Sequence, residues 1–272
     1  MHEALRGGRP SAIHHLTVPA LNSTERFSDR VADYVRFRPG YPAALLEWLR
    51  AEHGLAPSWV VADVGAGTGI SARMFLEAGH AAIAVEPNAA MRAAAAEALG
   101  ANPRFRAVGA PAEATSLPAA SVDLVVAAQA FHWFQPEAVR REWARILRPG
   151  GLVLVVWNSR RTGGSPFLDG YEQLLREHAT DYAAVAERYA DEPAMRAWFG
   201  TGFRDTRTFE NRQVLDLEGL RGRLLSSSYA PRPGHPGHQP MLQALERLFE
   251  RTQAGGQVTF LYETRAYLGS LS

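Results

Sequence analysis

Val61-Ala62-Asp63-Val64-Gly65-Ala66-Gly67-Thr68-Gly69 decides how this chain is read. The stretch Trp59–Val64 is short, apolar and rich in β-branched residues, which suits a buried strand. A glycine cluster follows at once, and Ser71–Ala78 then has a helical pattern closed by Gly79. A strand that enters a helix through glycines makes a sharp turn with exposed backbone N–H groups, onto which a ligand can settle without a side chain intervening. The spacing is G-x-G-x-G. A dinucleotide fingerprint requires G-x-G-x-x-G/A, and Ile70 stands where its third small residue would be.

Working outward, strand and helix patterns alternate. Ala81–Val85 is a second apolar run ending in Glu86, and Asn88 is placed to cap a helix over Ala89–Leu99. Phe105–Val108, Val122–Ala128 and Leu152–Trp157 are further strand candidates, with a helix from Pro136 to Leu147 between the last two. Before the key strand, Pro42 opens a helix carrying Leu45, Leu46 and Leu49. Repeated strand–helix units imply a mainly parallel sheet covered on both faces, an α/β doubly wound architecture. Beyond Asn158 the rhythm changes. Phe167–His178, Ala183–Phe199, Leu220–Tyr229 and Met241–Gln253 read as helices, while Thr206–Leu215 and Val258–Leu268 read as strands. The expected organisation is an extension over 1–24, a ligand-binding core over 25–158, and a remainder over 159–272. That remainder contributes a helical insertion or cap near Pro166–Phe199 and strands that complete the sheet.

Composition removes several chemistries. The 272 residues are 46% hydrophobic and 21% charged, with 29 basic and 28 acidic side chains for a net charge of +1. There is no cysteine, so disulfides, thiolate nucleophiles and cysteine-held metals are excluded. There is no lysine either, which rules out Schiff-base catalysis and counts against a P-loop. The near-zero charge argues against nucleic-acid or membrane-surface binding. Neither a spanning apolar run nor a secretory leader is visible, and the expected location is cytoplasmic. His14-His15 and the pair His235 and His238 lack a third ligand at convincing spacing, so no metal site is expected.

Glu86, 23 residues after Asp63 at the end of the second strand, is placed to accept hydrogen bonds from both hydroxyls of a ribose. With this pair in hand, the chain resembles the class I methyltransferases that use S-adenosylmethionine. The resemblance rests on Asp63–Gly69, on Val85-Glu86-Pro87 and on Leu147-Arg148-Pro149-Gly150-Gly151-Leu152. Phe37-Arg38-Pro39-Gly40-Tyr41-Pro42 and Ala130-Phe131-His132-Trp133-Phe134 are similar to a small-molecule subgroup that includes trans-aconitate methyltransferase-like proteins. The likeness runs from Phe27 to Asn158 and implies a Rossmann-like, seven-stranded sheet with one antiparallel strand near the C-terminus.

The resemblance also implies roles. Gly65 and Gly67, with Ala66 and Thr68 in the same loop, pass beside the methionine part of the cofactor, and Asp63 supports them. Glu86 holds the ribose, Pro87, Asn88 and Met91 wall the adenine, and Ala112 and Glu113 meet its edge. Gln129 faces the methionine or sulfonium. Arg38 pairs with the cofactor carboxylate, with Tyr34 and Tyr41 closing over it. His132 is the natural general base, set against a purely positional role for the same imidazole. Phe131, Trp133 and Phe134 are placed to face the sulfonium with their rings. Arg36, Arg38, Arg160 and Arg161 are candidates to orient an acceptor carboxylate. The function expected is methyl transfer to a small-molecule acceptor, by a monomer or homodimer. The alternatives are a nicotinamide-dependent oxidoreductase, a non-catalytic S-adenosylmethionine-binding protein and a nucleic-acid methyltransferase.

Overall fold

The strand before the glycine turn, β1 (Val60–Val64), lies at the centre of a seven-stranded sheet. The computed structural model describes residues 36–180, 182 and 191–271. Along the chain follow α1 (Ala43–His53), β1, α2 (Ile70–Glu77), β2 (Ala81–Val85), α3 (Ala89–Leu99), β3 (Phe105–Val108) and β4 (Val122–Ala128). A 3₁₀ turn (Phe131–Trp133) leads into α4 (Pro136–Ile146) and β5 (Leu147–Arg160). Then come α5 (Pro166–His178), α6 (Glu192–Phe199), β6 (Phe203–Leu215), α7 (Leu217–Leu225), α8 (His238–Thr252) and β7 (Val258–Gly269). The spatial order is β3-β2-β1-β4-β5-β7-β6. Strands β1 to β5 pair in parallel, whereas β7 runs antiparallel to both β5 and β6. The chain steps outward from β1 to β2 and β3, then crosses back to β4. That reversal opens a crevice beyond the carboxyl ends of β1 and β4, where ligands of open α/β sheets bind.

Burial follows the two-residue period of strands. Val61, Leu124, Val126, Leu152, Leu154 and Val156 pack on one face with α1 and α2, through Trp48 and Phe75. Ala62, Val64, Val125, Ala127, Val153 and Val155 pack on the other face with α4, through Trp143 and Ile146. These strands read as nearly continuous apolar runs because both faces are covered.

Several boundaries depart from the sequence reading, three of them with a clear physical cause. β5 begins at Leu147 rather than Leu152: Val122 pairs with Leu147 and Leu124 with Leu152, so residues 148–151 bulge out of the ladder. Pro149 has no N–H to place in the ladder, and Gly150 takes φ +81 there. β5 also continues past Trp157 to Arg160, because β7 pairs with it there as far as Arg160↔Tyr262. The helix expected over Leu220–Tyr229 is shifted to Leu217–Leu225. Asp216 caps it by accepting from the Gly219 N–H at 2.7 Å, and Ser226–Tyr229 form a turn.

The cap is also built differently from the expected insertion. Met195 and Phe199 of α6 pack into the α4 side of the sheet, so α6 belongs to a sheet layer. The separate apolar cluster is formed by α5, α7 and α8 against the first half of β7, through Phe167, Tyr171, Leu224, Leu245 and Phe260. Residues 183–190 lie outside the described residues, as does the extension over 1–24. Among the described residues, no helix is long and apolar enough to cross a membrane.

Trp143 is fully buried. Its ring meets Phe131, Phe134 and Trp198, and its Nε1–H donates to the Ala112 carbonyl at 3.2 Å. It therefore ties α4 to both loops flanking the crevice. Trp143→Ala is expected to lower unfolding free energy by about 3–5 kcal/mol in chemical denaturation. A loss below about 1 kcal/mol would show that the ring is not core packing.

Candidate functional site

An open cavity of about 440 Å³ lies at the carboxyl edge of the sheet. Its two ends carry opposite charge.

The acidic end is built by the glycine turn. Gly65 and Gly67 have φ of +71 and +56, a region that residues with a Cβ rarely adopt. A Cβ on Gly65 would stand 2.7 Å from the Ala130 Cβ and 2.8 Å from the Phe134 ring, so the turn can lie against the β4 loop only as glycine. A Cβ on Gly67 would meet nothing nearer than the Met91 sulfur at 3.8 Å, so that side is open to the cavity. The N–H groups of Gly65 and Ala66 both donate to the Val85 carbonyl, at 2.9 and 3.2 Å. Gly67 N–H donates to Glu86 Oε2 at 2.9 Å, and Asn88 N–H to Glu86 Oε1 at 2.8 Å. Asn88 also caps α3, accepting from Met91 N–H at 3.0 Å. Burial pushes the Glu86 carboxyl up, against the opposing pull of those two amides and of Arg92. Each of its oxygens accepts one backbone N–H, and a carboxylate has lone pairs for about four donors.

Asp63 lies beneath the turn, fully buried, outside the cavity wall. Its Oδ2 accepts from the Ser71 hydroxyl at 2.6 Å and from Ala72 N–H at 3.0 Å. Burial raises it from 3.8 to about 6. The two hydrogen bonds oppose that rise, and the nearby Glu86 charge adds to it. Asp63 Oδ1, Thr68 Oγ1 and Gln129 Oε1 are buried polar atoms with no hydrogen-bond partner among the described residues. Gln129 sits on the cavity wall after β4 with φ +57, a strained backbone for a non-glycine residue. Its Nε2 donates to the Asn158 carbonyl at 3.0 Å, which fixes the amide.

The basic end gathers Arg38, Arg160 and Arg223. Arg160 donates to Glu172 Oε2 at 2.7 Å and to the Tyr182 hydroxyl at 2.8 Å, and that hydroxyl donates onward to Glu172 at 2.7 Å. Buried Arg223 donates to the Tyr262 hydroxyl at 3.2 Å and to Ser227 Oγ at 3.1 Å. Arg38 donates to the Ser226 carbonyl at 2.8 Å. Its segment is pinned by Asn158 and Asn211, whose side chains both donate to the Gly40 carbonyl, and by Gln213, which donates to the Phe37 carbonyl.

The structure brings Arg38, Gly65, Ala66, Gly67, Glu86, Pro87, Met91, Gln129 and His132 onto one cavity wall, as the sequence grouped them. Thr68 is buried behind that wall. Ala112 and Glu113 do not line the cavity: the Ala112 carbonyl accepts from Trp143, and Glu113 accepts from Gln135 N–H at 3.0 Å. Tyr34 lies outside the described residues. Phe131 turns inward against Trp143, Trp157 and Trp198, so Trp133 and Phe134 alone of that trio face the cavity. Arg36 and Arg161 do not line it either; they meet the carboxylates of Glu218, and of Glu210 and Glu263. Arg223, Tyr182, Tyr229 and Tyr262 were not singled out from sequence. They come from separate elements, and no spacing links them.

Fold and cavity define a Rossmann-like α/β domain with an open cavity at the switch point of the sheet. Residues 62–155 match a methyltransferase-domain family. Over 134 residues the chain is 40% identical to an uncharacterized methyltransferase of Mycobacterium tuberculosis, a match covering 49% of this chain and 52% of that one. The chain thus spans about half the length of that relative. An uncharacterized methyltransferase-like protein of Schizosaccharomyces pombe is 28% identical over 89% of this chain and 93% of its own. Among solved structures, one from Anaeromyxobacter dehalogenans, described as a candidate type II methyltransferase, is 26% identical with TM-score 0.66, covering 86% of this chain and 98% of that one. Phosphoethanolamine N-methyltransferase 2 of Haemonchus contortus, solved with phosphomonomethylethanolamine and S-adenosylhomocysteine, shares the fold at TM-score 0.55 and 16% identity, over 92% of this chain and 58% of its own. These likenesses support a methyltransferase.

The Asp63 carboxyl gives a pH test. Its folded value lies above its ordinary one, so the folded chain holds that proton more tightly. The stabilisation is present below pH 3.8 and is lost as pH rises through about 6. Asp63→Asn removes this dependence. The stability of the variant relative to wild type should climb by about 3 kcal/mol across that window and level off above it. A difference that stays flat with pH would show that Asp63 is not held protonated.

Proposed function

We propose that the chain transfers the methyl group of S-adenosylmethionine to a small-molecule acceptor by in-line displacement. The observation that carries this reading is the Glu86 carboxylate, tied to the amide of Gly67 at the carboxyl edge of β1 and β2 and facing the cavity. When bound, the cofactor supplies an electrophilic methyl on a sulfonium. In this reading Glu86 accepts from the ribose hydroxyls, while Pro87 and Met91 wall the adenine. Gly65, Ala66 and Gly67 pass the methionine part, supported from behind by Asp63 and Thr68. The partnerless Gln129 Oε1 accepts from the cofactor ammonium, and Arg38 meets its carboxylate. Ala112 and Glu113, standing off the cavity, shape the loop behind the adenine. His132 and Trp133, on the 3₁₀ turn between the two ends, contact the acceptor.

Charge supports the assignment. A ligand with a sulfonium and an ammonium is attracted by Glu86 and by Asp63, whose ionisation it would favour in turn. The catalytic contribution of such a site is alignment of nucleophile, methyl and sulfur, which supplies about 7–11 kcal/mol in well-oriented cases. The fold shared with a structure holding S-adenosylhomocysteine supports the same ligand class.

Isothermal titration with S-adenosylhomocysteine tests the reading. Wild type should bind it, and Glu86→Gln should weaken binding about 10–100-fold through loss of the charged acceptor. Binding of NADH with no heat from S-adenosylhomocysteine would instead make the chain a nicotinamide protein. Binding with no methyl transfer to any small acceptor would leave it a non-catalytic binder.

A further inference from the structure

The proposed function gives no role to Tyr229, a residue of the cavity lining. Tyr229 stands on the turn after α7, lining the cavity with its ring edge-on to Tyr182 at 5.2 Å between centroids. Three guanidinium groups line the same cavity from three parts of the fold: Arg223 from α7, Arg38 from the segment before α1, and Arg160 from the end of β5. The other ionisable groups here are Tyr171 and Glu172 of α5, Tyr182, and Tyr262 of β7. Glu172 is already held by Arg160, Arg176 and Tyr182, so the end retains an excess of positive charge.

We propose that Tyr229 is the proton acceptor of the methyl-transfer step, and that the acceptor substrate is a weakly acidic hydroxyl compound, a phenol or an enol. This rests on the methyltransferase reading above and moves the proton-accepting role from His132 to Tyr229. In the step, the acceptor O–H bond breaks and its proton joins the phenolate oxygen of Tyr229. The freed oxygen pair forms the O–C bond to the methyl. The C–S bond breaks with its electron pair returning to sulfur, and the Tyr229 proton later leaves to solvent.

The field at this end favours a base of that charge type. Burial alone would push the Tyr229 hydroxyl up; Arg223, the hydrogen bond with Ser227, Arg38 and Arg160 outweigh it and bring it below the usual tyrosine value. Burial pushes Tyr171 and Tyr182 the other way, and donation to Glu172 holds the Tyr182 proton further. A phenolate becomes neutral when it takes a proton, whereas an imidazole among three guanidiniums would become a fourth cation. The same field sorts acceptors. It repels an ammonium, and it stabilises the developing anion of a phenol or enol. A carboxylate nucleophile would need no base.

Ultraviolet titration of tyrosinate, on the free protein, provides a readout independent of turnover. Wild type should show one tyrosinate forming at lower pH than the others. Tyr229→Phe should lack that step, and Arg38→Gln should move it to higher pH. With radiolabelled S-adenosylmethionine and a panel of simple phenols and enolic acids, Tyr229→Phe should lower turnover at least about 10²-fold. It should also erase the rising limb of the pH profile while leaving S-adenosylhomocysteine affinity unchanged. His132→Ala should keep that limb. Absence of the early tyrosinate step, or undiminished turnover in Tyr229→Phe, would overturn the proposal. A wild type that binds no S-adenosylhomocysteine would instead overturn the reading beneath it, and the titration would still report on Tyr229.

Discussion

One hydrogen bond organises this molecule: the amide of Gly67 to the carboxylate of Glu86. It joins the end of β1 to the end of β2, beside the crevice between β1 and β4 where strand order reverses. It forms only because the turn is left-handed at Gly65 and Gly67, which brings the backbone against the β4 loop on one side and leaves it bare on the other. Burial makes a carboxylate costly to ionise, and it pushes Glu86 and Asp63 both up against the hydrogen bonds that each accepts. The fold therefore maintains two acids where a positively charged ligand would relieve both.

The far end of the cavity complements this one. β5 and β7 outrun the parallel strands, and the helical cap packs against that overhang. Arginines from the N-terminal segment, β5 and α7 converge there, tied into place by backbone carbonyls, tyrosines and a single glutamate. A cavity acidic at one end and basic at the other can hold a cationic donor beside an acceptor that becomes anionic as it reacts. Fixed charges then add to what alignment supplies.

Much of the acidic end was legible in sequence because its determinants are local. The glycine turn, Glu86 and the Asn88 cap each lie within a few residues of the strand end that positions them. The buried strands were legible for a similar reason, as apolar runs of strand length. The basic end was legible only in Arg38 and Arg160, because these two and the Arg223–Tyr229 stretch are separated by tens of residues and meet only when β5, β7 and the cap close. Phe131 illustrates the limit inside a motif. Its neighbours Trp133 and Phe134 face the cavity, but buried Trp143 and Trp157 and half-buried Trp198 form the apolar pocket that draws Phe131 inward. The shift of β5 back to Leu147 was hidden because Pro149 and Gly150 read as a break, although a bulge carries both without ending the strand. Arg36 and Arg161 look like equals of Arg38 in sequence, and only the fold shows them meeting surface carboxylates.

A crystal structure of the chain soaked with S-adenosylhomocysteine tests the central claim most directly. Both ribose hydroxyls should lie within hydrogen-bond distance of the Glu86 carboxylate, with the sulfur turned toward the basic end. Density for the ligand away from the Gly65–Gly67 turn, or with its ribose off Glu86, would contradict it.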